Sequence, residues 1–167
     1  MRSLLLYTFF VLLSVQTFGQ KTIDEVLQQY NAETIPYISV EELRRLQLHD
    51  TVMILDARER VEFDVSRIPS AQYIGYSEFS SEKTLQQLAN KNQTVVVYCT
   101  LGVRSETIGE KLKKAGFTDV KNLYGGIVEW KNKDFPVIDS LGAETQQVHT
   151  ASKFWGQWLK KGVGVHD

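Results

Sequence analysis

Apolar residues follow two alternating patterns along the chain: short consecutive runs and recurrences at helical spacing. Short, fully apolar runs are typical of strands buried on both faces of a sheet. The predicted strands are residues 52–55, 72–74, 94–98 and 120–123. The predicted helices are residues 22–30, 39–46, 59–65, 80–88, 105–115 and 127–130. Because strands alternate with helices, the pattern predicts an α/β fold in which a parallel sheet carries helices on both faces.

Several residues mark the ends of these helices. Ser39, with Glu42 three residues later, fits a capping box at the start of the second helix. Gly116 is expected to stop the 105–115 helix, and Gly125 with Gly126 predicts a turn before the last one.

The N-terminal residues follow a different pattern. Arg2 precedes an apolar run over residues 4–13, and small residues follow at Thr17 and Gly19. These are the parts of a secretory signal peptide, and the run is shorter than the roughly 20 residues that a membrane-spanning helix needs. We therefore expect residues 1–19 to be a signal peptide. The protein is then exported, to the periplasm in a bacterium and otherwise out of the cell. An uncleaved membrane anchor is the alternative.

The C-terminal residues change character once more. Residues 139–150 are polar and predict a linker. Residues 153–161, from Lys153 to Lys161, are aromatic and basic and suggest an amphipathic helix. That segment either docks on the domain, which is the simpler interpretation, or engages a protein partner or a membrane surface.

Composition excludes several classes of function. The 167 residues suit one domain with a tail. A formal net charge of -1 gives no reason to expect nucleic acid as a partner. The chain has one cysteine and three scattered histidines, so it has no internal disulfide, and we expect neither a metal site nor a cofactor. Nothing in the composition indicates the oligomeric state.

The single cysteine, Cys99, lies in the stretch VVVYCTLGVRS, at the end of a predicted strand. Ligands of parallel α/β sheets bind beyond the carboxyl ends of the strands. Gly102 allows the following loop to curl, so that backbone N–H groups turn inward. The helix N-terminus and Arg104 add positive charge, which stabilises a thiolate and lowers the pKa of the cysteine. The alternative is a buried cysteine that acts as a small apolar residue.

The loop resembles the active-site loop of the rhodanese family, commonly Cys-x-x-Gly-x-Arg-Ser. Four further segments resemble motifs of that family in the same order: ISVEEL from Ile38, ILDARERVEF from Ile54, RIPSA from Arg67, and GGIVEW from Gly125 with Pro136-Val137 after it. The resemblance implies one rhodanese-like domain at 38–138. Together with the patterns at the two ends, it divides the chain into a signal peptide at 1–19, a helical lead-in at 20–37, that domain, and a linker with an aromatic, basic tail at 139–167.

The resemblance also implies sulfur transfer. Cys99 would take sulfur from a donor such as thiosulfate, a persulfide or a polysulfide, carry it as a persulfide, and pass it to a thiol or to cyanide. The residues that would bind the transferred sulfur are Thr100, Leu101, Gly102, Val103, Arg104 and Ser105. The residues expected to support this loop, through ion pairs, are Asp56, Arg58 and Glu62.

Some departures from the family pattern bear on which sulfur donor the protein would use. Thr100 and Leu101 are uncharged, whereas members that use thiosulfate well often carry basic residues in this loop. An uncharged rim attracts a dianion less strongly, so a persulfide or polysulfide is expected to be the better donor. Arg67 and Ser70 replace the usual His and Gly of a neighbouring turn.

Three alternatives remain open at this point. The first is that the domain is a non-catalytic interaction module, and the second is that Cys99 is a redox-sensing thiol of the cell envelope. A phosphatase of the dual-specificity type is the third, but those loops read Cys-x5-Arg, and here four residues separate Cys99 from Arg104.

Overall fold

The computed structural model describes residues 19–80, 82, 86, 88 and 90–166. Almost all of the predicted signal peptide and most of the predicted 80–88 helix therefore lie outside the described residues. Within the part of the chain that is described, no helix combines the length and the apolarity needed to cross a membrane.

A five-stranded parallel sheet forms the centre of the molecule. Its strands are β1 (Tyr37–Ile38), β2 (Met53–Asp56), β3 (Gln72–Tyr73), β4 (Val95–Tyr98) and β5 (Val120–Leu123). They are arranged in the order β1-β5-β4-β2-β3. In the central strand, Val97 lies opposite Leu55 on one side and Asn122 on the other. The four predicted strands are confirmed within one residue at either end, and β1 was not predicted.

Six helices surround the sheet in the described part of the chain. They are α1 (Ile23–Tyr30), α2 (Val40–Leu48), α3 (Arg60–Val65), α4 (Val103–Lys114), α5 (Gly126–Asn132) and α6 (Lys153–Gly156). The Ser39 side chain accepts a hydrogen bond from the Glu42 N–H and caps α2, as predicted. The helix predicted from residue 105 begins earlier, at Val103, because Gly102 adopts a left-handed conformation that starts it directly after the loop.

Neighbouring side chains of β4 enter cores on opposite faces of the sheet. Val96 packs in a cluster with Leu43 of α2 and Trp130 of α5. Val97 packs on the other face with Leu112 of α4. A strand buried on both faces needs apolar side chains at every position, which explains why residues 95–97 are all valine. The prediction of a parallel sheet with helices on both faces is confirmed.

The prediction of a polar linker at 139–150 is wrong. This region contains β7 (Glu144–Thr145), which pairs antiparallel with the preceding β6 (Val137–Ile138), and β8 (Gln147–His149), which pairs in parallel with β9 (Val163–Val165). Val148 and Thr150 are fully buried. Strand pairing satisfies backbone groups whatever the side chains are, so a polar sequence did not exclude these strands.

The prediction of one helix over residues 153–161 is also wrong. Helix α6 ends at Gly156, which lies so close to Thr150 that an added Cβ would be 2.8 Å from the Thr150 Oγ1 atom. The chain then turns, and Trp158 packs in a cluster with Val26 of α1 and Leu101. The segment docks on the domain, although not as the amphipathic helix that the sequence suggested.

Candidate functional site

Cys99 directly follows β4, and its side chain forms part of the wall of a pocket. The residue is only 2% exposed. The pocket has a volume of about 190 Å³. It is lined by Cys99, Thr100, Leu101, Val103, Arg104, Ala151 and Trp155. The thiol is therefore buried and yet borders a cavity, unlike a cysteine sealed within an apolar core.

Gly102 gives the loop its curl. Its φ of 118° lies in the left-handed region, where glycine is favoured over residues with a Cβ. An added Cβ would lie 3.3 Å from a methyl group of Leu27 and 3.4 Å from the Leu123 carbonyl oxygen. In this conformation the Gly102 N–H donates a hydrogen bond of 3.2 Å to the Cys99 Sγ atom. The inward N–H predicted from the sequence is present at this residue.

The N-terminus of α5 holds the other side of the loop. The Ile127 N–H donates to the Cys99 carbonyl oxygen at 3.0 Å, and the Val128 N–H donates to the Thr100 carbonyl oxygen at 3.3 Å. At Gly126 the two segments are so close that an added Cβ would lie 2.3 Å from the Cys99 oxygen. These bonds direct the loop carbonyls toward α5, and the close approach explains the second glycine of the GGIVEW segment.

Arg104 is fixed by a carboxylate far away in the sequence. Its guanidinium donates hydrogen bonds of 2.6 and 2.8 Å to the two oxygens of Glu62, and another of 2.9 Å to the Thr100 hydroxyl. Glu62 also accepts a bond of 2.9 Å from the Glu59 N–H at the start of α3. Burial raises the pKa of Glu62, but the hydrogen bonds and positive charge of Arg104 lower it by a larger amount. The net pKa therefore lies below its ordinary value.

Asp56 and Arg58 form a second, separate ion pair beneath the sheet edge. Both side chains are fully buried, and Arg58 donates to the two carboxylate oxygens at 3.0 and 2.7 Å. The Tyr98 hydroxyl donates to the same carboxylate at 2.5 Å, and Arg58 also bonds the Ser66 carbonyl at 2.6 Å. Burial, and then the negative charge of Asp56, raise the pKa of Tyr98. This network joins β2, β4 and the chain after α3, so it holds the framework of the fold together.

The environment of Cys99 favours the thiolate. Burial by itself raises the pKa of the thiol, but the positive charge of Arg104 lowers it, as do hydrogen bonds from Ser105 and Gly102. The net pKa lies below its ordinary value. A low pKa is typical of reactive cysteines near a helix N-terminus and a cation.

Asn122 is a site residue that sequence reasoning missed. Its side chain is fully buried on β5, donates to the Gly102 carbonyl at 2.8 Å, and accepts a bond of 2.8 Å from the Ser105 hydroxyl. The same hydroxyl lies 3.5 Å from the Cys99 Sγ atom. A hydroxyl has one hydrogen to donate, so Asn122 competes with the sulfur for it. A buried polar side chain needs partners, and the asparagine within the predicted strand 120–123 was the available signal.

Ala151 and Trp155 were missed as well, because the sequence assigned them to a tail.

No metal centre is evident in the part of the chain that the structure describes, where no three His, Cys, Asp or Glu side chains come together.

Parts of this chain are similar to known proteins. The family model for the rhodanese-like domain matches residues 39–133. A "Probable adenylyltransferase/sulfurtransferase MoeZ" of Mycobacterium tuberculosis is 41% identical over 83 residues, which are 50% of this chain and 21% of that protein. A tRNA uridine(34) hydroxylase of Listeria monocytogenes is 38% identical over 104 residues, which are 59% of this chain and 32% of that protein.

Solved structures share the fold. A thiosulfate sulfurtransferase from Pseudomonas aeruginosa superposes with a TM-score of 0.60 at 22% identity, over 74% of this chain and 24% of that one. The chain spans between a fifth and a third of the length of the two curated relatives. The similarity therefore covers only part of each relative, and their names describe different activities, a hydroxylase and a sulfurtransferase.

Proposed function

This chain belongs to the rhodanese-like domain family, and on that premise we propose that it is a sulfurtransferase that carries a sulfane sulfur atom as a persulfide on Cys99. The observation that carries the proposal is the position of this thiol. It borders a pocket, accepts a hydrogen bond from the Gly102 N–H, and has a pKa lowered by Arg104. These features favour the thiolate, which is the form of cysteine that acts as a nucleophile.

The reaction proceeds in two half-reactions without net oxidation. The Cys99 thiolate attacks the outer sulfur of a donor R–S–SH, the donor S–S bond breaks, and R–S⁻ leaves while Cys99–S–SH forms. A second thiolate, R′–S⁻, then attacks the outer sulfur of Cys99–S–SH. This step yields R′–S–SH and restores the Cys99 thiolate. With thiosulfate, the leaving group of the first step is sulfite.

The loop and the arginine have different roles in this scheme. The Gly102 N–H, which donates to the Cys99 sulfur, supports this scheme, because a preorganised donor in a buried site stabilises charge on that atom. Arg104 is held by Glu62 and acts through its charge on the thiol. Because that charge is already paired and Thr100 and Leu101 are neutral, we expect a persulfide or polysulfide to be a better donor than the thiosulfate dianion.

Substitution of the cysteine tests the proposal. Wild-type protein and Cys99→Ser are mixed with thiosulfate or with polysulfide, and the intact mass is measured. The expected result is a gain of one sulfur atom on wild-type protein and none on the variant, with equal thermal unfolding midpoints. If the wild-type protein gains no sulfur from any donor, the proposal is wrong and a non-catalytic interaction module becomes the better interpretation.

We also propose that the chain is exported, which the charge and apolar pattern of residues 1–19 supports. Intact-mass analysis of the protein recovered from cells tests this. Loss of the first 19 or 20 residues is expected, and recovery of the full-length chain from the cytosol would contradict it.

A further inference from the structure

Two residues of the Cys99 pocket lie outside the segment that matches the family. The match covers residues 39–133, whereas Ala151 and Trp155 belong to the C-terminal segment and line the pocket beside Leu101 and Val103. The C-terminal segment thus supplies part of the surface that faces a molecule reacting at the thiol.

The segment that carries these residues is anchored at both ends. Strands β8 and β9 pair in parallel, so residues 150–162 between them form a closed loop over the domain. In its middle, the Trp158 indole N–H donates to the Lys21 carbonyl at 2.6 Å. The Asn132 amide donates to the Trp158 carbonyl at 3.0 Å. These bonds tie the loop to α5 and to the residues before α1.

The ring of Trp155 is held by other aromatic rings. Tyr30 of α1 lies edge-on at 5.8 Å between ring centroids, and Phe154 lies edge-on at 5.0 Å. The Ser152 hydroxyl accepts a hydrogen bond from the Trp155 N–H and caps the short helix. Aromatic pairs of this geometry are favourable and orient the rings. These contacts therefore set the orientation of the ring in the pocket wall.

The charges around the pocket do not suit a strongly anionic substrate. Apart from the Cys99 thiolate itself, Arg104 is the one charged residue among the seven that line the pocket, and two hydrogen bonds pair it with Glu62. Apart from Thr100, whose hydroxyl accepts a hydrogen bond from Arg104, the wall away from the sulfur is apolar and is formed by Leu101, Val103, Trp155 and Ala151. Moving an anion from water to such a wall is costly, whereas an apolar group gains free energy there.

We infer that Trp155, with Ala151, forms a specificity wall that selects sulfur donors and acceptors with a neutral, apolar substituent. This inference rests on the proposed function. The volume of about 190 Å³ exceeds the roughly 150 Å³ of an apolar cavity that accommodates a benzene ring. The substituent R of the donor R–S–SH lies against Trp155, the outer sulfur is transferred to Cys99, and R–S⁻ leaves.

Steady-state kinetics with two donors test the wall. Benzyl persulfide, whose substituent is neutral and apolar, and thiosulfate, a dianion, are each assayed with a thiol acceptor. Trp155→Ala is expected to lower kcat/KM for benzyl persulfide about tenfold, chiefly through KM, while kcat/KM for thiosulfate changes less than twofold. Leu141→Ala is the control, since this apolar side chain of the C-terminal segment is 91% exposed and does not line the pocket. Both of its kcat/KM values are expected to stay within twofold of wild type.

The outcomes separate this inference from the proposed function. Equal losses for both donors, or no loss for either, would overturn the specificity wall while sulfur transfer itself stands. A wild-type protein whose Cys99 accepts sulfur from neither donor would overturn the proposed function and the wall with it. Should Trp155→Ala lower the unfolding midpoint, Trp155→Leu preserves apolar packing and is expected to show the same selective loss, reduced to a few-fold.

Discussion

The pair formed by Glu62 and Arg104 connects the thiol loop to α3, and the variant Glu62→Gln isolates its contribution. Glutamine has the same shape but lacks the charge and one of the two acceptor oxygens. In the wild-type protein these oxygens accept bonds of 2.6 and 2.8 Å from Arg104. The variant therefore leaves the guanidinium with one good acceptor in place of two.

The size of the effect follows from burial. The Glu62 side chain is 3% exposed and the Arg104 side chain is 22% exposed. One hydrogen bond to a charged group contributes about 1.5–3 kcal/mol, and breaking a fully buried ion pair costs about 3–5 kcal/mol. Because water reaches part of Arg104, we expect a loss of about 2–3 kcal/mol in the free energy of unfolding. That loss corresponds to a decrease of about 4–12 °C in Tm.

The dependence on pH provides a second measurement. The pKa of Glu62 in the folded protein lies below its ordinary value of 4.5, with burial opposing and Arg104 favouring the charged form. A carboxyl group with a lowered folded pKa stabilises the protein above its unfolded pKa, and this stability is lost as the pH falls through the folded pKa. The difference between wild type and Glu62→Gln is thus expected to be constant from pH 7 to about 5.5 and to shrink below about 4.5.

Urea unfolding followed by circular dichroism measures these differences. Asp64→Asn is the matched control on the same helix, because Asp64 forms an ion pair of 3.8 Å with Arg60 and both side chains are more than half exposed. Its effect is expected to stay within about 0.5 kcal/mol. The reasoning is refuted if Glu62→Gln is as stable as Asp64→Asn at pH 7, or if its deficit is unchanged at pH 4.

Two further predictions concern the loop. Arg104→Gln removes the charge that lowers the pKa of Cys99, so alkylation by iodoacetamide should slow at neutral pH and approach the wild-type rate at high pH. Arg60→Gln, at an exposed position, should leave the profile unchanged. Gly126→Ala should destabilise by more than about 2 kcal/mol, since a φ of 54° is strained and the new Cβ would clash with the Cys99 oxygen at 2.3 Å. Gly142→Ala, with a φ of 82° and open space around it, should lose only about 1–2 kcal/mol in urea unfolding; equal losses would contradict the clash.

The sequence by itself determined the features that depend on neighbouring residues. The apolar run over residues 95–98 indicated a strand buried on both faces, and Gly102 indicated the curl after Cys99. Ser39 indicated the start of α2. Each of these follows from local backbone preference or from the period of apolar side chains, and both are readable along the chain.

Tertiary structure alone decided which distant groups meet at the thiol. Glu62 precedes its partner Arg104 by 42 residues, and Asn122 reaches Gly102 from another strand. Trp155 reaches the pocket from a segment that was read as a tail. The identity of a carboxylate, an amide or an indole does not reveal its partner. The partner depends on strand order and on how the C-terminal loop is tied down between β8 and β9. Contacts of this kind arise only when the whole chain is packed, which is why the cysteine at the strand end was predictable and the C-terminal residues that line its pocket were not.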